Sequence, residues 1–372
     1  MARKQANSKS SWLKQVKQHG AKVALAMVAT GSFAFAFGQE RIQQFVSSST
    51  ETNGKCLEQF YRAAPPYLQK DSLKKDSYPL CFNGFNVVYS GVSKTPLWVA
   101  EALTPARLSQ KIPREDSFHE EMRVKASHRA TLQDYRKSGY DRGHMAPNAD
   151  MPNKAAQHDS FSLANMVPQA PKNNQQVWRE LEEATRALVT KQKNDVYVVT
   201  GPVYNAKRLK KIGNGVIVPN ATYKAIYVPK TGVIGAYYAS NALTEHAPKV
   251  EIMSVCALEE QLGINLFPQL TEETKRNTYH LPLTAGAVKA NKQIAYANWD
   301  AESQCAPEVS SADLKTLQNE FKSDGLVTDS SAQSTQKTMP APTNTGLDQE
   351  QQALLSKLLE MLLQFILQLL GK

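Results

Sequence analysis

Tyr140-Asp141-Arg142-Gly143-His144-Met145-Ala146-Pro147 places a carboxylate, a guanidinium and an imidazole within four consecutive positions. Alone such a string reads equally well as a turn around a satisfied histidine. Two later stretches change that balance. Asn165-Met166-Val167-Pro168-Gln169 comes first, followed by Asn174-Gln175-Gln176-Val177-Trp178-Arg179-Glu180-Leu181-Glu182. On a helix Asn174, Trp178 and Glu182 are spaced i, i+4, i+8 and fall along one face. An amide oxygen and a carboxylate on one face, with a histidine nearby, suit a hard cation, and too few protein oxygens are present for a closed cage. Mg²⁺, which keeps several of its waters, fits that description. His119-Glu120-Glu121 opens like a zinc-protease helix but lacks the second histidine four residues on. His128 and His158 are expected on the surface.

Holding these groups requires a scaffold, and its elements are readable as apolar runs. Asn86–Tyr89 and Leu97–Leu103 read as strands. A helix is expected from Asn174 to Lys191. Val196–Thr200, Val216–Val218, Tyr223–Val228 and Val233–Ser240 are β-branched or apolar runs bounded by Gly, Pro and Asn, the signature of further strands. Glu251–Gln261 reads as a short helix stopped at Gly263. Strands outnumber helices and no repeat is visible. The fold class expected is α+β, a central antiparallel sheet with flanking helices.

The chain has 372 residues, 41% hydrophobic and 21% charged, which excludes wholly disordered, polytopic membrane, collagen-like and cysteine-dense classes. The net charge of +10 suggests a nucleic-acid partner until it is located. Residues 1–37 carry Arg3, Lys4, Lys9, Lys14, Lys17 and Lys22 and no acid, so only +4 remains on the other 335 residues. Nucleic-acid binding must therefore be argued from sites. Residues 1–37 have the basic and then apolar layout of an export signal, with Ala34-Phe35-Ala36 as a small-x-small pattern for cleavage; an uncleaved anchor is the rival reading. The expected location is exported: periplasmic, secreted, or membrane-anchored facing outward. Cys56, Cys81, Cys256 and Cys305 form no CxxC pair and, in an exported chain, read as two disulfides. Sequence order favours Cys56–Cys81 with Cys256–Cys305, although four cysteines allow three pairings.

The domain division expected is a polar lead-in at 38–75, a catalytic domain at 76–305, a Ser-, Thr-, Gln- and Pro-rich linker at 306–347, and a leucine-rich helix at 348–372. In that last segment Gln352, Ser356, Glu360, Gln364 and Gln368 leave only a narrow polar stripe. So apolar a helix should dock on the domain, self-associate or lie in a membrane interface.

Together these residues resemble the DNA/RNA non-specific endonucleases, the ββα-metal or His-Me finger nucleases that include secreted bacterial nucleases and mitochondrial endonuclease G. Thr95-Pro96-Leu97-Trp98-Val99-Ala100-Glu101 is similar to the family's opening strand, and Tyr197-Val198-Val199-Thr200-Gly201-Pro202 to a later core strand. Val218-Pro219 with Tyr223-Lys224 is similar to the strand that follows. The resemblance spans about residues 80–275.

The resemblance implies hydrolysis of DNA and RNA phosphodiesters to 5′-phosphate and 3′-hydroxyl ends, through backbone phosphate with little base readout. His144 would be the general base, a role a neutral imidazole suits at mild pH. Asn174 would ligate Mg²⁺, with Mn²⁺ as a substitute, and Glu182 would reach the ion through a water. Arg142 would bind the scissile phosphate. Arg114 takes the place of the family's upstream arginine, at a longer spacing to Phe118. Asp141 would fix the loop, Gly143 would permit a turn that places His144, and Asn165 would support the metal helix. Lys207, Arg208, Lys210 and Lys211 are either a phosphate-contacting loop or a solvated face. The competing readings are a catalytically silent nucleic-acid-binding module on the same fold and an envelope-associated protein.

Overall fold

Period-two patterning organises the centre of the molecule. Val87 and Tyr89 pack on one side of their strand and Val88 on the other; Val198 and Val199, and Ile226 and Ala225, divide in the same way. The sheet therefore has a core on each face, and its central strands read as nearly unbroken apolar runs. The computed structural model describes residues 56–322. The expected export segment at 1–37, the first part of the lead-in and the leucine-rich helix at 348–372 lie outside the described residues.

Strands β1 (Ser77–Phe82), β2 (Phe85–Ser90) and β3 (Thr95–Leu103) form an antiparallel meander. The chain then leaves the sheet through α1 (Leu132–Tyr135), β4 (Asp141–His144), α2 (Lys154–Ser160) and β5 (Met166–Gln169). A π-helical turn, Asn173–Trp178, runs into α3 (Arg179–Thr190). β6 (Val196–Val203) returns beside β3. After the short pair β7 (Lys211–Ile212) and β8 (Val216–Ile217) come β9 (Ala221–Val228), β10 (Val233–Ser240) and β11 (Val250–Met253). The seven-stranded order is β11-β10-β9-β6-β3-β2-β1, and every pairing is antiparallel. The expected α+β class and central antiparallel sheet are both present.

One face of the sheet carries the π turn through Trp178 and α3 through Leu181 and Leu188, and with them the hairpin β4–β5. The opposite face is covered by the first described turns, by α4 (Val255–Leu262) and by α5 (Ser311–Lys322). Disulfides Cys56–Cys81 and Cys256–Cys305 tie these covering pieces down, in the pairing that sequence order favours.

Three expectations need correction. Glu251–Met253 belong to the edge strand β11, paired with Ala236–Tyr238. The helix starts only after Ser254, whose hydroxyl accepts from the Ala257 N–H; it does end at Gly263, which sits at φ 68°. Next, the lead-in is structured from Cys56 onward: Phe60 meets Trp98 edge-on at 5.9 Å. Finally, the stretch read as a linker contains α5. Ser310 and Asp313 cap it reciprocally, and Leu314, Leu317 and Phe321 recur at helical spacing. Phe321 is fully buried against Phe60 and Trp98, at 5.2 and 5.7 Å.

Phe321→Ala should therefore lower stability by about 3 kcal/mol, the usual cost of emptying an aromatic core position. A urea titration reads this directly, whereas a residue in a flexible linker would leave the midpoint unmoved.

Candidate active site

β4 and β5 pair with Asp141 opposite Gln169 and His144 opposite Met166. Three residues after β5 the π turn begins, so two short strands and a helix form one ββα unit. Asn165 clamps this unit. Its Oδ1 accepts from the Ala146 N–H at 2.9 Å, and its Nδ2 donates to the carbonyls of Ala146 and Ser160, both at 2.8 Å. Fully buried, it fixes the backbone directly after His144. Among the described residues none of its side-chain bonds reaches the helix, so its support goes to the histidine loop instead.

Gly143 also differs from expectation. It lies in strand β4 rather than in a turn. A Cβ there would stand 2.0 Å from Oε1 of Gln169 and 2.6 Å from its Cβ. The constraint is close approach across the hairpin, not backbone freedom.

The helix face is altered by the π turn. The turn that carries Asn174 and Trp178 is π rather than α, with more residues per turn. Trp178 points into the core, fully buried, and its Nε1 donates to the His144 carbonyl at 3.3 Å. Asn174 and Glu182 open instead onto a cleft of about 360 Å³ that they share with Arg114, Arg142, His144, Gln175 and Arg179. Asp141 bridges hairpin and helix: its Oδ2 accepts from Asn174 Nδ2 and from Gln175 Nε2, each at 2.9 Å. A carboxylate only accepts, so the Asn174 amide must turn its nitrogen to Asp141. Its oxygen is left without a hydrogen bond among the described residues.

Two aromatic rings frame His144. Phe161 meets it edge-on at 5.0 Å and Phe118 lies at 5.8 Å. The same rings carry the two guanidiniums, Arg142 at 3.8 Å over Phe118 and Arg114 at 5.3 Å over Phe161. Arg114 Nε also donates to Asp116 Oδ1 at 2.6 Å. Burial, and then the charge of Arg114, depress the His144 pKa to about 3; Asp116 pulls the other way, and Arg142 adds a lesser depression. The imidazole is therefore neutral at mild pH. Its Nε2 is buried without a partner among the described residues, which leaves Nδ1 as the nitrogen open to the cleft.

Glu182 is lifted to about 7, chiefly by burial, while Lys224 and Arg186 hold it down. Below it Arg186 pairs with Asp150 at 2.9 Å and Arg107 with Glu101 at 3.0 Å. Lys224 is buried, donates to Thr200 Oγ1 at 3.1 Å and stands 5.5 Å from the Trp178 ring centre. Among the described residues no group of three or more His, Cys, Asp or Glu is arranged to hold an ion. The amide oxygen of Asn174 and the Glu182 carboxylate are hard oxygen donors on one cleft, and they fit a largely hydrated divalent cation.

The structure thus gathers Arg114, Asp141, Arg142, His144, Asn174 and Glu182. Lys207, Arg208, Lys210 and Lys211 stand exposed between β6 and β8 and do not line this cleft. Arg179 was missed, although its spacing of four from Gln175 and three from Glu182 signals a shared face. Phe118 entered the sequence argument only as a spacing marker. Phe161 carries no local signal, since only the folded chain brings it to His144.

The raised Glu182 pKa fixes the sign of a stability change in metal-free protein. Its proton is bound more tightly in the folded chain than at the unfolded value of about 4.3. The resulting stabilisation is complete below that value and disappears as pH rises through about 7. With chelator present, Glu182→Gln should therefore melt higher than the parent above pH 7 and close to it near pH 4. Thermal scans across that range test it, and parallel curves would contradict the burial described.

The DNA/RNA non-specific endonuclease profile matches residues 65–273. Human mitochondrial endonuclease G is 34% identical over 213 residues, covering 53% of this chain and 69% of its own. A nuclease of the cyanobacterium Nostoc sp. is 30% identical over 220 residues, 58% of this chain and 79% of its own. Nuclease C1 of Cunninghamella echinulata is 33% identical over 231 residues, 56% and 87% respectively. A crystal structure of an EndoG/EndoGI complex aligns at 25% identity and a TM-score of 0.48, over 53% of this chain and 89% of that one. With half the chain matched by the profile, and with nuclease relatives aligned over more than two thirds of their length, the chain belongs to the DNA/RNA non-specific endonuclease family and is a nuclease.

Proposed function

We propose that this nuclease hydrolyses phosphodiester bonds in both DNA and RNA with one hydrated Mg²⁺ at Asn174, leaving 5′-phosphate and 3′-hydroxyl ends. The observation carrying this reading is the convergence on one cleft of a neutral imidazole, three guanidiniums, a free amide oxygen and a carboxylate. Asn174 Oδ1 would hold the ion directly, with Glu182 facing its water shell. When bound, the ion supplies positive charge beside the scissile phosphate and the departing 3′ oxygen. His144 takes the proton of the attacking water on Nδ1 while Nε2 keeps the proton of the neutral ring. Arg142 and Arg114, steadied by their aromatic rings, bind and orient the phosphate through paired N–H groups. The phosphate's negative charge offsets the two cations that depress His144, so the imidazole becomes a stronger base when substrate arrives. Phe118 and Phe161 exclude water from the back of the ring.

We also propose that the enzyme works after export, in the periplasm, in the medium or anchored facing outward. The basic and then apolar layout of residues 1–37 supports this. So do the two disulfides, which persist in oxidising compartments.

Digestion of plasmid and of RNA by the purified protein, with Mg²⁺ and with chelator, tests the reading. Both substrates should be cut only with the ion, and cleavage of neither would overturn it. His144→Ala should cost roughly 10²–10⁴-fold in rate while oligonucleotide binding persists, because a general base acts on the transition state. Asn174→Ala should raise the Mg²⁺ concentration needed for half-maximal rate.

A further inference from the structure

The positive surface at the site does not end at Arg142. On the other side of that residue a second cleft of about 380 Å³ opens, lined by Leu132, Gln133, Arg136, Tyr140, Asp141 and Arg142. Its size falls within the range that small organic ligands fill. Arg142 belongs to both clefts, so a ligand passing from one to the other crosses it.

The second cleft has fixed walls. Tyr140 packs on a satellite core that contains Ala130, Tyr135, Met166, Ile212 and Val216. Asp134 locks α1 in place, accepting from the Thr131 N–H at 2.7 Å and from the Asn214 N–H at 2.6 Å. Its charged groups are uneven. The Asp141 oxygen Oδ2 is taken up by Asn174 and Gln175 on the helix side. Arg136 is exposed and makes no ion pair among the described residues. The Tyr140 hydroxyl makes no hydrogen bond there either, and its ring is half-buried at the wall. A free guanidinium beside an anchored aromatic ring is the chemistry that holds a phosphate and stacks a base. The uncommitted basic run from Lys207 to Lys211 enters the same satellite core through β7, on the Ile212 side.

We propose that this second cleft binds the nucleotide next to the scissile phosphate, Arg136 holding the neighbouring phosphate and Tyr140 stacking an unpaired base. The occupant is a single-stranded segment of DNA or RNA, since stacking on the tyrosine requires an exposed base face. This rests on the nuclease reading above, with Arg142 on the phosphate that is cut.

The test uses the full chain and two probes. A fluorescein-labelled single-stranded DNA 12-mer, bound with chelator present, reports the subsite without cleavage. Bis(4-nitrophenyl) phosphate, hydrolysed with Mg²⁺, offers one phosphate and no neighbour. Arg136→Ala should weaken 12-mer binding about 10-fold and reduce the slope of log affinity against log salt by about 0.7, as loss of one phosphate contact requires. Tyr140→Leu should weaken binding about 10-fold with the slope unchanged, the scale of one stacked base. In both variants the kcat/KM ratio of oligonucleotide over small diester should fall about 10-fold. Arg136→Lys should restore the salt slope and Tyr140→Phe the affinity, which guards against a misfolded variant. Unchanged 12-mer binding in both variants, or an unchanged ratio because the two substrates fall together, would overturn the subsite. If the parent cuts neither substrate, the proposed function fails, while the binding arm still decides the subsite.

Discussion

A single carboxylate joins the two halves of the site. Asp141 lies on β4, yet both bonds of its Oδ2 go to the π turn, to Asn174 and Gln175, more than thirty residues away in sequence. Because a carboxylate can only accept, it dictates which end of the Asn174 amide faces the cleft. The neighbours on β4 inherit that placement. Arg142 and His144 point into the same cleft because the strand carrying them is pinned to the helix one or three residues before. Asn165 does the corresponding work from the other side by clamping Ala146. His144 thus stands between two anchored points of backbone, and its ring can be orphaned at Nε2 without drifting.

Cations in this site rest on aromatic faces, with Arg114 paired to Asp116 as well. Arg142 rests on Phe118, Arg114 on Phe161 and Lys224 near Trp178. An aromatic face steadies a guanidinium without neutralising it, so charge stays available for a phosphate. The acids nearby are treated in the opposite way. Glu101 and Glu182 lie where burial disfavours ionisation, and the cations around them compensate only in part. The arrangement leaves positive charge facing the cleft and weakens negative charge beneath it.

How much of this was legible in the sequence depended on distance along the chain. Strands such as β9 and β10 were readable because both faces are covered, which favours apolar residue types at most positions, with Thr222 and Lys224 as buried polar exceptions. Asp141, Arg142, His144, Asn174 and Glu182 were readable because their chemistry is compressed into two short stretches. The role of Gly143 was not, since the reason for a glycine is Gln169, brought opposite by strand register. The π turn at Asn173–Trp178 was not readable either: its residue types suit an ordinary α-helix, and the turn shows only in the folded backbone. Nor was α5 noticed, because three apolar residues among Ser, Lys and Gln look like a linker until Phe60 and Trp98 are known to await Phe321.

That last contact has a temporal side. Phe60 and Phe321 are separated by nearly the whole described chain, and Trp98 lies beneath both. Contacts between such distant residues form late, after the cost of closing the loop has been met. During synthesis the part of the far face that α5 covers stays open until residues 311–322 have left the ribosome, and one side of the Trp98 ring stays uncovered with it. Completion of the described domain therefore waits for residues 311–322. A destructive enzyme built this way acquires its finished scaffold only after the ribosome has made the last turn of α5.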